Sequence, residues 1–381
     1  MFKYVAKRLG LMLLTFIIIF TMCFVLIKLL PIRTDILPNI KDTYVKYKVL
    51  EGRGWITNIE PGPNGTYTYD TVPVLIQYGD YLWRIVSQGD FGMGTSLTEY
   101  VGKDLWTEAF LPSLPPTILI NIYSSLIGVP IGLALGILAA LKKNKWQDQL
   151  INIFIILLIS LPSIVLAILI QYACFKSNAL ALPIEWIPEW LPEGLRDVIQ
   201  KIFVFPINVP TVAGATTSRD KGFFENLIAF FQMFQPYLNW DMFKSMLPAV
   251  FALCLGSIAG YARYTRAELS EVLTGEFMLL ARTKGLTKGQ AIYRHALRNS
   301  MVVIFPSILG EFISVLSGSL IIEKIFLING VGGLYLLAIQ TQDYDAFMLL
   351  SGFYTLISLV AGIVIDISYG IIDPRIRMGA K

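Results

Sequence analysis

The chain has 381 residues, of which 55% are hydrophobic and only 15% charged, and its formal net charge is +4. A water-soluble domain of this length needs more charged surface, so the composition excludes an ordinary soluble protein and points to a membrane. The charge excess is small and unevenly placed, which gives no case for a nucleic-acid partner.

The apolar residues fall into six blocks, at 9–30, 117–141, 150–174, 245–262, 301–323 and 346–370. Crossing a bilayer takes about 20 helical residues. The first block follows Lys3, Lys7 and Arg8, as a secretory signal would, but its apolar run is too long and no small-x-small cleavage site follows it. It reads as a retained helix (residues 1–30) with Lys28 snorkelling outward.

Residues 31–116 form the first long segment outside the blocks. Within it, "GWITNIEPGPNGTYTYD" alternates on both sides of a Pro/Gly/Asn turn and predicts a β-hairpin. "VPVLIQYGDYLWRIVSQGDFG" predicts a short amphipathic helix ending at glycine. Asn64-Gly65-Thr66 matches a glycosylation acceptor, which is a weak signal.

Blocks two and three occupy residues 117–174. Gly128, Gly132 and Gly136 lie four apart and open one helix face to a close neighbour. Pro130, Pro162 and, in block five, Pro306 are expected to bend or break their helices. Residues 175–244 make the second long segment, rich in Trp, Pro and Phe, where "GFFENLIAFFQMFQPYL" predicts an interfacial helix. Residues 245–375 hold blocks four to six with a polar loop at 263–300. In block five Glu311 stands at membrane depth with Ser307, Ser314 and Ser317 on its face; Gln171, Asn121 and Asp366 lie nearer helix ends. Such polar groups line a water-filled route or bond neighbouring helices. Glu311, Ser314, Ser317 and Gln171 are the expected pathway residues. Cys23, Cys174 and Cys254 lie inside blocks, with no metal-ligand spacing, and read as buried thiols.

Lysine and arginine cluster before block one, between two and three, between four and five, and after six. With six spans these four places share one side, so both termini and the 263–300 loop are expected in the cytoplasm.

That loop holds "ARTKGLTKGQAIYRHALRNS", with the chain's one histidine and no acid. Gly285 suits a helix stop, and Thr287-x-x-Gln290 suits a capping box that starts a second helix. A helix–turn–helix running straight into a membrane span transmits displacement.

"EFMLLARTKGLTKGQAIYRHALRNS" resembles the cytoplasmic loop motif of ABC-importer permeases of the oligopeptide, dipeptide and nickel group. Ala281 and Gly285 keep that motif's spacing. Leu279 and Leu280 depart from it, where relatives in the wider superfamily carry Glu and Ala. "QGDFGMGTS", "SLPSIVLAIL", "IIEKIFLINGVGGLYLLAIQTQDYDAF" and "IDISYGIIDPRIR" are similar to further segments of the group. The likeness covers most of 72–175 and 243–377; residues 36–70 and 175–240 match poorly and read as insertions peculiar to this lineage.

The resemblance implies an all-α polytopic membrane protein, with six transmembrane helices in a type I ABC importer permease fold and a small extracytoplasmic insertion containing the β-hairpin. It implies a non-catalytic subunit in a prokaryotic cell membrane. The expected partners are a second homologous permease, two ABC ATPases, an extracytoplasmic solute-binding protein and the bilayer. ATP and Mg²⁺ would be used by the ATPases, with no cofactor or metal on this chain. Leu280, Ala281, Arg282, Lys284, Gly285, Leu286, Thr287 and Gln290 would form the coupling contact. Peptides are the expected cargo; nickel or another small solute is the alternative within the group. The sequence has no Gly-x-x-x-x-Gly-Lys-Ser/Thr loop to cradle phosphate. A proton-coupled carrier using Glu311 would be expected to show inverted repeats, and none is visible. A membrane enzyme would need a base near its nucleophile, and His295 lies in the loop, far from the membrane serines.

Overall fold

The computed structural model describes residues 2–30, 42–63, 67–97, 99–176, 192 and 223–372. The Asn64 acceptor, most of the Trp- and Pro-rich segment and the basic C-terminal end lie outside the described residues.

Helix α1 (Phe2–Lys28) opens the chain. Helix α2 (Thr43–Gly52) starts where the Asp42 carboxylate accepts from Tyr44 N–H. Strands β1 (Ile56–Pro61) and β2 (Tyr67–Thr71) pair antiparallel, with Ile56 opposite Thr71 and Pro61 opposite Tyr67. The register shifts between Thr57 and Glu60, at Asn58 with φ 54°. Helix α3 (Val74–Gln88) stops at Gly89, whose left-handed backbone suits glycine.

A π turn at Leu105–Phe110, capped by Asp104, feeds the long helix α4 (Leu111–Leu141). Helices α5 (Trp146–Ser160) and α6 (Ser163–Lys176) follow, then α7 (Phe223–Gln232), α8 (Trp240–Val272), α9 (Glu276–Thr283) and the single turn α10 (Lys288–Ala291). A π turn at Ile292–Ala296 runs into α11 (Leu297–Ser314), which ends in a 3-10 turn at Val315–Ser317. Two short helices, α12 (Leu320–Ile325) and α13 (Val331–Thr341), lead to α14 (Tyr344–Ile372).

Five helices are long and apolar enough to cross a membrane, or six if the pair α5–α6, bent by 96°, is one span. The bend falls at Pro162. Leu161 before it is extended, as steric pressure from a following proline demands. The other expected breaks do not occur. Helix α4 continues through Pro115, Pro116 and Pro130, and α11 through Pro306. Helix α11 has outside support: Tyr264 and Tyr261 of α8 donate to the carbonyls of Val303 and Ser307, on either side of Pro306 (3.3 and 3.0 Å). Neighbouring helices and side chains that bond backbone carbonyls are what lets a span tolerate proline.

The spine of the molecule is the α4–α8 pair. A Cβ on Gly128 would lie 2.9 Å from Ser257 Cβ, and one on Gly132 would lie 2.8 Å from Tyr261 Cβ. The glycine face therefore presses on α8, and the absent side chains set the spacing of the two backbones. Helices α1 and α14 run antiparallel. Arg8 pairs with Asp366 at 2.7 Å near one end, Gly352 faces Phe20 midway, and Lys28 reaches Tyr344 at the other. The start of α1 and the end of α14 thus lie on the same side.

Lys28 does not snorkel to open solvent. Its ammonium sits 3.6 Å above the Trp55 ring, flanked by Phe24 and Tyr344. Cation–π attraction clips α1 to the layer made by α2, β1 and β2. The buried cluster Tyr47, Leu50, Trp55, Ile56 and Tyr344 seats that layer on the start of α14. Arg53 pairs with Asp345 in the same seat.

Candidate functional site

The segment between α8 and α11 is a rigid, externally presented pair of short helices. Leu286 N–H returns to Ala281 C=O (3.3 Å), and Gly285 takes φ +87°, so a glycine-stopped turn closes α9. Thr287 then starts α10. Its hydroxyl accepts from Gln290 N–H (3.3 Å), and the Gln290 side chain accepts from Thr287 N–H (3.1 Å), completing the capping box. Met278, Ala281, Ala291 and Ala296 bury themselves against Ala140 of α4 and Leu269 of α8. The pair is therefore seated directly on the spine.

This seating divides the expected coupling residues. Arg282, Lys284, Gly285, Thr287 and Gln290 are exposed, and Leu286 is half-buried. Ala281 is only 5% exposed, so it holds the loop from beneath and does not present itself to a partner. Leu279 and Leu280, at 68% and 56% exposure, and Tyr293 at 77%, make the outward apolar face. Leu279 and Tyr293 are the residues that sequence reasoning left out; their outward direction depends on which face α9 and α10 seat.

Arg266 counts as a topological charge in the sequence, yet it is held. Its guanidinium grips Asp148 with two bonds, Nε to Oδ1 at 2.6 Å and Nη2 to Oδ2 at 3.0 Å. Asp148, buried at the start of α5, also accepts from Asn144 N–H (2.9 Å). This fork joins the end of α8 that carries α9 to the broken helix pair α5–α6.

Glu311 lies in the last turn of α11. Its Oε1 accepts from Ser257 Oγ (2.7 Å). Ser257 is close to the middle of the 33-residue α8, about 25 and 22 Å from its ends at 1.5 Å per residue. The carboxylate therefore sits at the mid-depth of the spine, in an open groove with Ser307, Tyr261 and Tyr264. The other expected pathway residues do not gather there. Ser314 donates to its own helix at Glu311 C=O (2.7 Å), and Ser317 belongs to the 3-10 turn after α11. Gln171 donates to Ile325 C=O and ties α6 to α12. Ser257 is the member the sequence did not reveal, because it stands 54 residues from Glu311 in the chain.

At the end of the spine opposite the α9–α10 pair, two buried acids fix the links between long helices. Glu323 is 1% exposed. It accepts from Thr117 Oγ1 (3.0 Å), Ser319 N–H (3.4 Å) and Gly333 N–H (3.1 Å), so α4, α12 and α13 meet on one carboxylate. Burial pushes its pKa up to about 7 against these bonds. Asp343 collects the backbone N–H groups of Thr95 (2.6 Å) and Ser96 (2.8 Å). The segments "QGDFGMGTS" and "TQDYDAF" thus meet in space. Among the described residues no group of three His, Cys, Asp or Glu could hold a metal ion.

The chain belongs to the family of inner membrane components of binding-protein-dependent transport systems, whose model matches residues 132–378. It is a membrane subunit of that class and not itself an enzyme. Among curated proteins it is similar to the dipeptide transport system permease protein DppB of Bacillus subtilis (strain 168), 28% identical over the full length of both chains. It is 27% identical to DppB of Lactococcus lactis subsp. cremoris (strain MG1363), over 99% of this chain and all of that one. The oligopeptide transport system permease protein OppB of Salmonella typhimurium is 26% identical over 80% of this chain and 81% of its own.

Proposed function

We propose that the chain is one of two permease subunits of an ATP-driven importer of peptides. It would cross the membrane six times, with α5–α6 as one broken span and with both termini and the α9–α10 pair in the cytoplasm. The positive residues around these parts support that orientation. A second permease completes the pathway, two ATPases bind and hydrolyse ATP with Mg²⁺, and an external solute-binding protein delivers the cargo. The α2, β1 and β2 layer lies outside, within reach of that protein.

The observation that carries the reading is the capped α9–α10 pair, seated on the α4–α8 spine with Leu279, Leu280 and Tyr293 turned outward. Closure of the ATPases would push this pair, and α8 would pass the displacement to α4 by close packing and to α5 through Arg266 and Asp148. A peptide cargo is supported by the dipeptide and oligopeptide permeases that the chain resembles along most of its length. Nickel or a proton-driven solute has no such support.

The test is to purify the chain gently from its native membrane and identify what accompanies it. P-loop ATPases, a second permease and a peptide-capturing external protein are the expected companions. A chain that emerges alone and moves solute without ATP contradicts the proposal.

A further inference from the structure

The groove at Glu311 has a polarity that selects its occupant. Three of its hydroxyls have committed their protons: Ser257 to Glu311, Tyr261 to the Ser307 carbonyl and Tyr264 to the Val303 carbonyl. The Ser307 side chain is hydrogen-bonded to the Tyr264 hydroxyl, so the charged group of this groove is the Glu311 carboxylate, which accepts from Ser257. The backbone wall is bare, since a Cβ on Gly256 or Gly260 would meet nothing within 4 Å. Among the described residues no lysine or arginine pairs with Glu311. A carboxylate at mid-depth of a bundle is costly to keep and calls for a partner of opposite charge. Aromatic walls add attraction for a cation.

We propose that this groove receives the ammonium or guanidinium group of the transported solute during its passage. The inference rests on the peptide reading above. It adds that Glu311 discriminates by charge within the membrane, after the external protein has released its cargo. Two parts of a peptide carry that chemistry: the protonated amino terminus, and a lysine or arginine side chain.

The experiment uses the complete importer in proteoliposomes, comparing wild type with Glu311→Gln and Glu311→Asp. Four labelled tripeptides are imported: Ala-Lys-Ala and Ala-Gln-Ala, each with a free and with an acetylated amino terminus. Each rate is divided by the capture of the same peptide by the solute-binding protein. Glu311→Gln is expected to lower the rate of peptides that carry an ammonium group, relative to acetylated Ala-Gln-Ala, which carries none, about fivefold or more, and Glu311→Asp to retain most of the preference. Slowing of both free-amino peptides assigns the amino terminus; slowing of both lysine peptides, acetylated or free, assigns the side chain. Equal rates, or equal slowing of all four including acetylated Ala-Gln-Ala, which carries no cationic group, overturn the proposal. So does loss of the second permease from the purified Glu311→Gln complex, because the groove would then be a subunit contact. A wild-type complex that imports none of the four overturns the peptide reading and this inference with it.

Discussion

Glu323 and Glu311 lie in the same apolar stretch of sequence, and their surroundings separate them. Glu311 is legible because charge inside a predicted span demands a reason. Glu323 stands at the margin of a block, and its partner on α4, Thr117, is 206 residues away, so the sequence does not mark that bond. Its carboxyl titrates near 7 when folded, against an ordinary value of 4.5. A raised acid pKa stabilises the fold fully below the unfolded value, and that contribution is lost as pH rises through 7. The loss is about 3 kcal/mol. Thermal unfolding of the purified protein between pH 4.5 and 7.5 should therefore show a falling midpoint, and Glu323→Gln should flatten that slope. An unchanged slope in the variant would remove Glu323 as its source.

At the level of elements, what is local in sequence is legible. The glycine stop at Gly285 and the Thr287–Gln290 box need only neighbours within a few residues, and both form. The glycine face of α4 is equally visible, but its partner α8 is not. Prolines show the limit most clearly. Pro162 breaks its helix, whereas Pro130 and Pro306 lie inside continuous helices, and around Pro306 two tyrosines of α8 bond the carbonyls of Val303 and Ser307. Gly285 offers a direct test of the helix pair. A Cβ there meets no atoms within 4 Å but must hold φ +87°, which costs about 1 kcal/mol or more for an L-residue. Gly285→Trp should therefore leave the chain inserted and assembled, while uptake falls severalfold for each ATP hydrolysed. Normal coupling in that variant, read as the ratio of peptide imported to phosphate released, would remove the lever role.

For the whole molecule, the account is of a spine loaded at one end and latched at the other. In the proposed function, displacement would enter at the α9–α10 pair and be carried by α8, α4 and the Arg266–Asp148 fork. At the far end Glu323, Asp343 and the Arg53–Asp345 pair lock the links that precede α4 and α14. The number of apolar blocks and the clustering of positive charge between them made the membrane class readable in sequence. The latches were not readable, since each joins segments far apart in the chain. The measurement that tests the central claim most directly is uptake of a labelled dipeptide by proteoliposomes holding the full complex. The account predicts uptake that needs both ATP and the solute-binding protein, and that falls at least about tenfold when Leu279→Asp and Leu280→Asp are combined to spoil the outward face. Uptake driven by a proton gradient without ATP, or unaffected by the paired substitutions, would contradict it.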